Sequence, residues 1–184
     1  LANVINKLDQ RWSDIIFIDD ADSVYNPRKT SVLKFTDIQK KYNLQEIEFC
    51  IAIGEPAIRK ILYDRVISNG MDLTTLIHPE VFIPKSTKIG KGTIICKFVS
   101  ITCDIIIGKN VYVHPMACIG HDAVIGDNAV ISSYVDVAGN CTIGDCAFLA
   151  IGVFLKQGTS VGYFTIVGMA SVVHRDIPDN VIAM

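Results

Sequence analysis

The sequence predicts two domains in succession: an α/β Rossmann-like domain with βαβ connectivity, then an all-β parallel β-helix of hexapeptide repeats. In roughly the first seventy residues, short apolar runs alternate with amphipathic segments, as in a parallel sheet covered by helices. From Ile83 onward every sixth residue is aliphatic, a period that neither a helix nor a hairpin produces. We expect a domain at 1–78 and a second at 79–184.

The N-terminal elements are predicted in the order helix, strand, helix, strand, helix, strand. The first two strands are the apolar runs at 15–19 and 47–54, which are typical of buried strands. The third helix has Pro56 in its first turn and Gly70 as its C-terminal stop. The other predicted elements are helices in LANVINKLDQRW and in FTDIQKKYN, the latter capped by Thr36 or Asp37, and a strand in DLTTLIHP.

The hexapeptide repeat runs without insertion from Ile83 to Val173, and every sixth residue in it is Ile, Val or Leu. The next residue is often glycine, as at Gly90, Gly108 and Gly120. In a hexapeptide β-helix each hexad forms one short side of a three-sided prism, and its aliphatic residue points inward. Three hexads complete one coil, so the run predicts about five stacked coils whose backbones pair with one another.

Composition excludes several functional classes. The chain has 184 residues, of which 50% are hydrophobic and 20% charged, as expected for a folded core. The net charge of −2 and the lack of a basic run argue against a nucleic-acid partner. We see neither a membrane-spanning run nor a signal peptide, and expect a cytoplasmic protein. The six cysteines form no C-x-x-C pair, which favours reduced core thiols over a disulfide framework.

Two adjacent residues, His121 and Asp122, are not required by the repeat. In their hexad Ile119 and Ala123 serve the core, so the pair is free to point outward. From periodicity alone it is either a solvated surface pair or a functional group in a groove. We expect no metal, because no convergent set of three zinc ligands is apparent among the four histidines, His78, His114, His121 and His174.

The order of motifs resembles that of a known enzyme family. The His121–Asp122 pair is followed by AVIGDNAVI and VDVAGNCTIGD, and VGMASVVHRDIPDNV lies near the C-terminus. With a βαβ domain in front, this arrangement resembles the bacterial sugar acetyltransferases of the sialic-acid O-acetyltransferase and UDP-4-amino-sugar N-acetyltransferase type. The resemblance implies a left-handed β-helix and a homotrimer with its active sites between subunits. It also implies acetyl-CoA as co-substrate, bound in the groove between neighbouring prisms.

The resemblance assigns chemical roles to the prism residues. His121 takes the place of the general base that removes a proton from the attacking sugar group. Asp122 takes the place of the acidic neighbour that stabilises the protonated imidazole. Small residues at a prism corner let the pantetheine arm approach the backbone, although the fold needs small residues there in any case. The positions expected to bind acetyl-CoA are Gly139, Ala150, Ile151 and Gly168.

The resemblance also points to a substrate site. Asp19 and Asp20 end the first predicted strand and Gly54 ends the second, where the family binds the nucleotide of a UDP-sugar. Their alternative interpretation is an ordinary polar strand end or a helix cap. His114 stands where the family often has Asn, and it either touches substrate or packs at a corner. Arg59 either faces phosphate or is a solvated helix residue.

The predicted function is acetyl-CoA-dependent acetylation of the amino group of a nucleotide-linked amino sugar in surface-glycan biosynthesis. Sialic-acid-type O-acetylation stays open, because one base can serve an amine or a hydroxyl. A non-catalytic trimeric scaffold also stays open, since periodicity alone permits it. The family begins with a strand and a glycine-rich loop that do not precede Leu1, and it usually continues into a Gly-x-Pro-Ala tail where this chain stops at Met184, so we expect the sequence to be trimmed at both ends.

Overall fold

The computed structural model describes residues 1–21 and 31–184, and their contacts divide them into two compact units, Leu1–Glu48 and Phe49–Met184. The first unit contains α1 (Ala2–Asp9), α2 (Phe35–Lys41) and a 3-10 turn at Leu44–Glu46. Its sheet has two parallel strands, which are β1 (Phe17–Ile18) and β2 (Val32–Leu33). The contact-based division lies well before the expected domain boundary at residue 78.

The second unit begins with the third helix, α3 (Pro56–Ser68), which confirms the helix predicted after Pro56. Proline suits this first turn because its missing N–H would have no helical partner there. Gly70 follows the helix with a φ of 72°, in the left-handed region that favours glycine. Its N–H donates to the carbonyl of Ile67 at 2.9 Å, which closes the helix end.

Three parallel sheets then form the sides of a triangular prism. The first sheet consists of β4 (Lys88–Ile89), β7 (Ile106–Ile107), β10 (Val124–Ile125), β13 (Thr142–Ile143) and β16 (Ser160–Val161). The second sheet consists of β3 (Leu76–Ile77), β5 (Ile94–Ile95), β8 (Tyr112–Val113), β11 (Val130–Ile131), β14 (Phe148–Leu149), β17 (Ile166–Val167) and β19 (Ile182–Ala183). The third sheet consists of β6 (Ser100–Ile101), β9 (Cys118–Ile119), β12 (Asp136–Val137), β15 (Phe154–Leu155) and β18 (Val172–Val173).

The sheet register confirms the predicted coil. Ile125 pairs with Ile143 and Val137 with Leu155, so three hexads complete one turn of the prism. The aliphatic position of every hexad from Ile95 to Val173 is at most 8% exposed. Burying one such side chain contributes about 1.5–3 kcal/mol, so this column of aliphatic residues is the main source of the prism's stability. The chain has the predicted fold class, an α/β N-terminal part followed by a left-handed parallel β-helix.

The corners of the prism have a regular backbone conformation. The residue three positions after the aliphatic one has a left-handed φ, for example 57° at Asp122, 60° at Asn128 and 58° at Asn140. Asn and Asp adopt this conformation more readily than other residues with a side chain. The glycine directly after the aliphatic residue is required for a different reason, which is the close stacking of the coils. A Cβ on Gly120 would lie 2.5 Å from the backbone nitrogen of Gly139 in the next coil.

The strands predicted for the N-terminal half are the main error. β1 is shorter than the predicted strand at 15–19, and it is not buried, since Phe17 and Ile18 are 48% and 37% exposed. The strand predicted at 47–54 is reduced to a single bridge between Phe49 and Leu73. The third strand forms as β3, but it pairs with β5 in the second sheet of the prism. Ile77 lies six residues before Ile83, so the hexad count could have found this pairing.

Helix α2 also begins differently from the prediction. Its N-cap is Lys34, with no side-chain capping bond, rather than Thr36 or Asp37. The N–H of Phe35 instead donates to Oδ1 of Asp20 at 2.8 Å.

In the described part of the chain, no helix is long and apolar enough to cross a membrane. The six cysteines are unpaired there.

Candidate functional site

The His121–Asp122 pair lies at the corner between the third and first sheets, between β9 and β10. The neighbouring coils hold this corner on both sides. The N–H of Asp122 donates to the carbonyl of Cys103 at 3.2 Å, and the carbonyl of His121 accepts the N–H of Asn140 at 2.8 Å. The backbone under the pair is therefore fixed by coil stacking, whatever the side chains do.

The imidazole of His121 has one nitrogen engaged and one available. Nδ1 lies 2.8 Å from Oδ2 of Asp122, and the two side chains are 49% and 53% exposed. An ionised carboxylate only accepts hydrogen bonds, so Nδ1 carries the proton in the neutral ring and Nε2 carries the lone pair. A neutral imidazole with this tautomer can remove a proton from an approaching amine or hydroxyl through Nε2.

Gly139 stands next to this free nitrogen, one coil further along the prism. A Cβ built on Gly139 would collide with Nε2 of His121, and it would lie 2.6 Å from Cε1 and 2.8 Å from Cδ2. Of the four positions expected to bind acetyl-CoA, Gly139 is thus the one beside the His121–Asp122 pair. Cys103 and Asn140 border the same corner, and neither was predicted from the sequence as a site residue. Cys103 could have been found by counting, because it lies three hexads before His121 and therefore at the same corner.

The other expected site residues of the prism lie at the corner between the second and third sheets. Three of them directly follow a strand of the second sheet and donate their N–H groups to the next coil, namely His114, Ala150 and Gly168. Their acceptors are, in the same order, the carbonyls of Ile131, Val167 and Ala183, at 2.8, 3.0 and 2.7 Å. The third sheet separates this corner from the His121–Asp122 corner. The residues expected in the site and found at this second corner are His114, Ala150, Ile151 and Gly168.

His114 is half-buried at this second corner. Its ring stacks on Tyr112 with the centroids 4.1 Å apart, and its Nε2 is buried without a hydrogen-bond partner. Burial, and secondarily the charge of Arg59, lower the pKa of His114 below its usual value. The ring is therefore neutral at neutral pH, which suits packing or hydrogen bonding rather than charge pairing.

Arg59 is neither solvated nor open to a phosphate, which corrects both interpretations from the sequence. Its guanidinium is completely buried and donates to the backbone carbonyls of Ile51, Ile53 and Asn110 and to the side chain of Asn110. It also lies 5.3 Å from the ring centroid of Tyr112. Burial lowers the pKa of Arg59 to about 10. The residue fastens α3 to a corner of the prism.

The expected nucleotide-binding residues show ordinary local roles. Oδ1 of Asp19 accepts the N–H of Ala21 at 2.9 Å, and Oδ1 of Asp20 accepts the first N–H of α2. Gly54 lies just before α3, and a Cβ there would meet nothing within 4 Å. No group of three His, Cys, Asp or Glu side chains able to hold a metal occurs among the residues that the structure describes.

Comparisons with known proteins agree with the fold. Residues 2–66 match the PglD N-terminal domain family. A 52-residue segment is 40% identical to the UDP-N-acetylbacillosamine N-acetyltransferase of Bacillus subtilis (strain 168). This segment covers 28% of the chain and 24% of that relative, so the match spans about a quarter of the relative's length.

Two solved structures extend the likeness over most of the chain. The acetyltransferase domain of PglB from Neisseria gonorrhoeae FA1090, in complex with acetyl coenzyme A, superposes with a TM-score of 0.86 and 25% identity, covering 98% of this chain and 89% of that one. PerB from Caulobacter crescentus, in complex with CoA and GDP-perosamine, has a TM-score of 0.77 and 28% identity, covering 83% of this chain and 73% of that one.

The fold and these matches define a class of protein, namely hexapeptide-repeat β-helix proteins with an N-terminal α/β domain. Within that class the matched curated relative and the superposed structures are acetyltransferases, and the curated relative is named for a sugar substrate, as in the family that the motifs of this chain resemble. The resemblance found in the sequence is confirmed.

Proposed function

We propose that this chain is an acetyl-CoA-dependent N-acetyltransferase that acts on the amino group of a nucleotide-linked amino sugar, with His121 as general base. The observation that carries the proposal is the geometry of His121. Its Nδ1 is 2.8 Å from the Asp122 carboxylate, and its Nε2 stands at an exposed corner. The prism requires neither side chain, because the core is built from the aliphatic positions of the hexads.

The chemistry needs one proton transfer at the attacking nitrogen. The lone pair on Nε2 takes the proton as the amine attacks the thioester carbonyl, and the Asp122 carboxylate stabilises the imidazolium that forms. The C–S bond then breaks as the amide is completed, and the imidazolium gives the proton to the departing CoA thiolate. Catalysis of this type contributes about 10²–10⁴-fold in rate. Amine acetylation is favoured over hydroxyl acetylation because the matched curated relative is named as an N-acetyltransferase. CoA and a GDP-sugar are bound together in PerB, which supports a nucleotide-linked acceptor.

We further propose that the working form is a homotrimer with its sites between subunits. In one prism the third sheet stands between His121 and the corner that carries Ala150 and Gly168. Two open cavities of about 430 and 780 Å³ exist in the second unit, and His121 lines neither. A second prism would supply the missing wall and bring one corner of each kind together. A monomer by light scattering at assay concentration would contradict this arrangement.

The direct test is acetyl transfer from acetyl-CoA to a panel of UDP- and GDP-linked amino sugars, with free sialic acid as the O-acetylation control. We expect turnover with an amino sugar and none with sialic acid. His121→Ala should lower kcat by about 10²-fold or more, with an unchanged oligomeric state. Full activity in that variant would refute the proposed base. No turnover, together with no thermal stabilisation by acetyl-CoA, would favour a scaffold.

A further inference from the structure

Gly139 occupies a hexad position at which the fold does not require glycine. It is the second residue after its aliphatic residue, Val137, and the equivalent residues of the neighbouring coils are Cys103, His121 and Gln157. Its φ lies outside the left-handed region, so the backbone conformation suits a residue with a side chain. Neither the corner conformation nor coil stacking therefore accounts for glycine here.

The three heavy atoms nearest to a Cβ on Gly139 all belong to the imidazole of His121. Repeat glycines differ in this respect: a Cβ on Gly144 would meet the backbone of Tyr163, with its nitrogen 2.5 Å away. Any side chain at Gly139 would push on the Nε2 edge of the ring. Since the ring is 49% exposed, it would swing outward rather than force the coils apart, and the 2.8 Å contact between Nδ1 and Asp122 would be lost.

We propose that Gly139 is a positioning residue for His121: its missing side chain lets the imidazole lie against the next coil, with Nδ1 on Asp122 and Nε2 open. The inference rests on the proposed function for its catalytic consequence, but the placement of the ring is a separate claim. It also differs from the sequence-based expectation for Gly139, which was direct contact with acetyl-CoA. A contact with the cofactor and a contact with the base predict different effects of the same substitution.

The test compares Gly139→Ala with a matched control, Gly144→Ala, which adds the same methyl group against backbone at another corner. The ring signals of His121 are identified in the NMR spectrum by their loss in His121→Ala. We expect Gly139→Ala to shift these signals and to leave Tm nearly unchanged. Gly144→Ala should do the reverse, with a fall in Tm on the order of 5 °C and unshifted His121 signals.

Kinetics and binding separate the two roles. A displaced base lowers kcat, by about 10²-fold for a misplacement near 1 Å, while the Kd for CoA, measured by calorimetry, stays within about twofold of the parent value. Unshifted His121 signals in Gly139→Ala would overturn the proposal, and a tenfold rise in the Kd for CoA beside them would assign Gly139 to the cofactor. Shifted signals in a protein that acetylates no sugar would support the positioning role and remove the proposed function.

A second variant covers a loss of folding. Should Gly139→Ala lower Tm, the double variant His121→Ala/Gly139→Ala should recover it, because no ring remains in the path of the new methyl group. An equal fall in Tm in both backgrounds would show that the methyl group clashes with the prism itself, and it would overturn the proposal.

Discussion

Replacing Arg59 by Met tests the attachment of α3 to the prism. The guanidinium makes five hydrogen bonds of 2.6–3.0 Å to the carbonyls of Ile51, Ile53 and Asn110 and to Oδ1 of Asn110. Met keeps an apolar stem and removes every donor. Ile53 is 42% exposed, so water can replace the donor to its carbonyl, and three acceptors remain buried. At about 2 kcal/mol for each unsatisfied acceptor, the loss is about 6 kcal/mol.

Removing the cation offsets part of this loss. Burial lowers the pKa of Arg59 from its usual value to about 10, which corresponds to a net cost of about 3 kcal/mol for holding the charge at this site. We therefore expect Arg59→Met to lower the free energy of unfolding by about 3 kcal/mol. Arg59→Lys should be at least as destabilising, because it keeps the buried charge and loses at least two of the five hydrogen bonds.

The assay is urea unfolding followed by circular dichroism, with the midpoint and slope compared between variants. Lys60→Met is the matched control on the same helix, since Lys60 makes an exposed ion pair with Asp64 and its replacement should leave the midpoint nearly unchanged. An Arg59→Lys variant within about 0.5 kcal/mol of the parent would refute the reasoning, because it would show that charge rather than the set of donors is what the buried site needs.

Two other perturbations address the site and the thiols. Asp122→Asn should lower kcat by less than the roughly 10²-fold expected for His121→Ala. It should keep the fold, because Asn tolerates the φ of 57° at this position. A pH–rate profile identical to that of the parent would exclude a role for the Asp122 charge. Burial raises the pKa of the Cys50 and Cys146 thiols from 9.0 to about 11. Between these values the folded chain keeps protons that the unfolded chain releases, so the free energy of unfolding should fall as pH rises from 9 to 11, by up to about 3 kcal/mol per thiol. Cys50→Ala and Cys146→Ala should each flatten this fall in urea midpoints, and a parent protein insensitive to pH in this range would contradict the assignment.

The strand pairing of the prism could be predicted because it depends only on the position of each residue along the chain. Each coil consumes three hexads, so strand pairing follows from counting along the chain, as the pairing of Ile125 with Ile143 shows. The N-terminal sheet follows no such count. Whether the run at 47–54 forms a strand depends on which distant segment lies beside it, and here Phe49 forms an isolated bridge with Leu73. β3 pairs instead with β5 in the prism, a pairing that does follow from the hexad count.

Arg59 shows a second limit of sequence reasoning. Charged residues are almost never fully buried unless they are paired, and the acidic residue at helical spacing from Arg59 is Glu55, four residues earlier, which predicts an exposed ion pair rather than burial. Its acceptors are backbone carbonyls near Ile51 and Ile53 and the distant Asn110. Backbone carbonyls carry no sequence signature, so only the folded chain could reveal the site.

By itself, the sequence determined the period of the coil, the inward column of aliphatic residues, and the fact that His121 and Asp122 are not needed by either. These follow from a repeat whose every position has one direction relative to the core. The tertiary structure alone decided how the side chains meet at each corner, and it showed that Gly139 lies against the imidazole of His121. The reason is that contacts between coils depend on side-chain rotamers and on the distance between backbones, neither of which a one-letter pattern records.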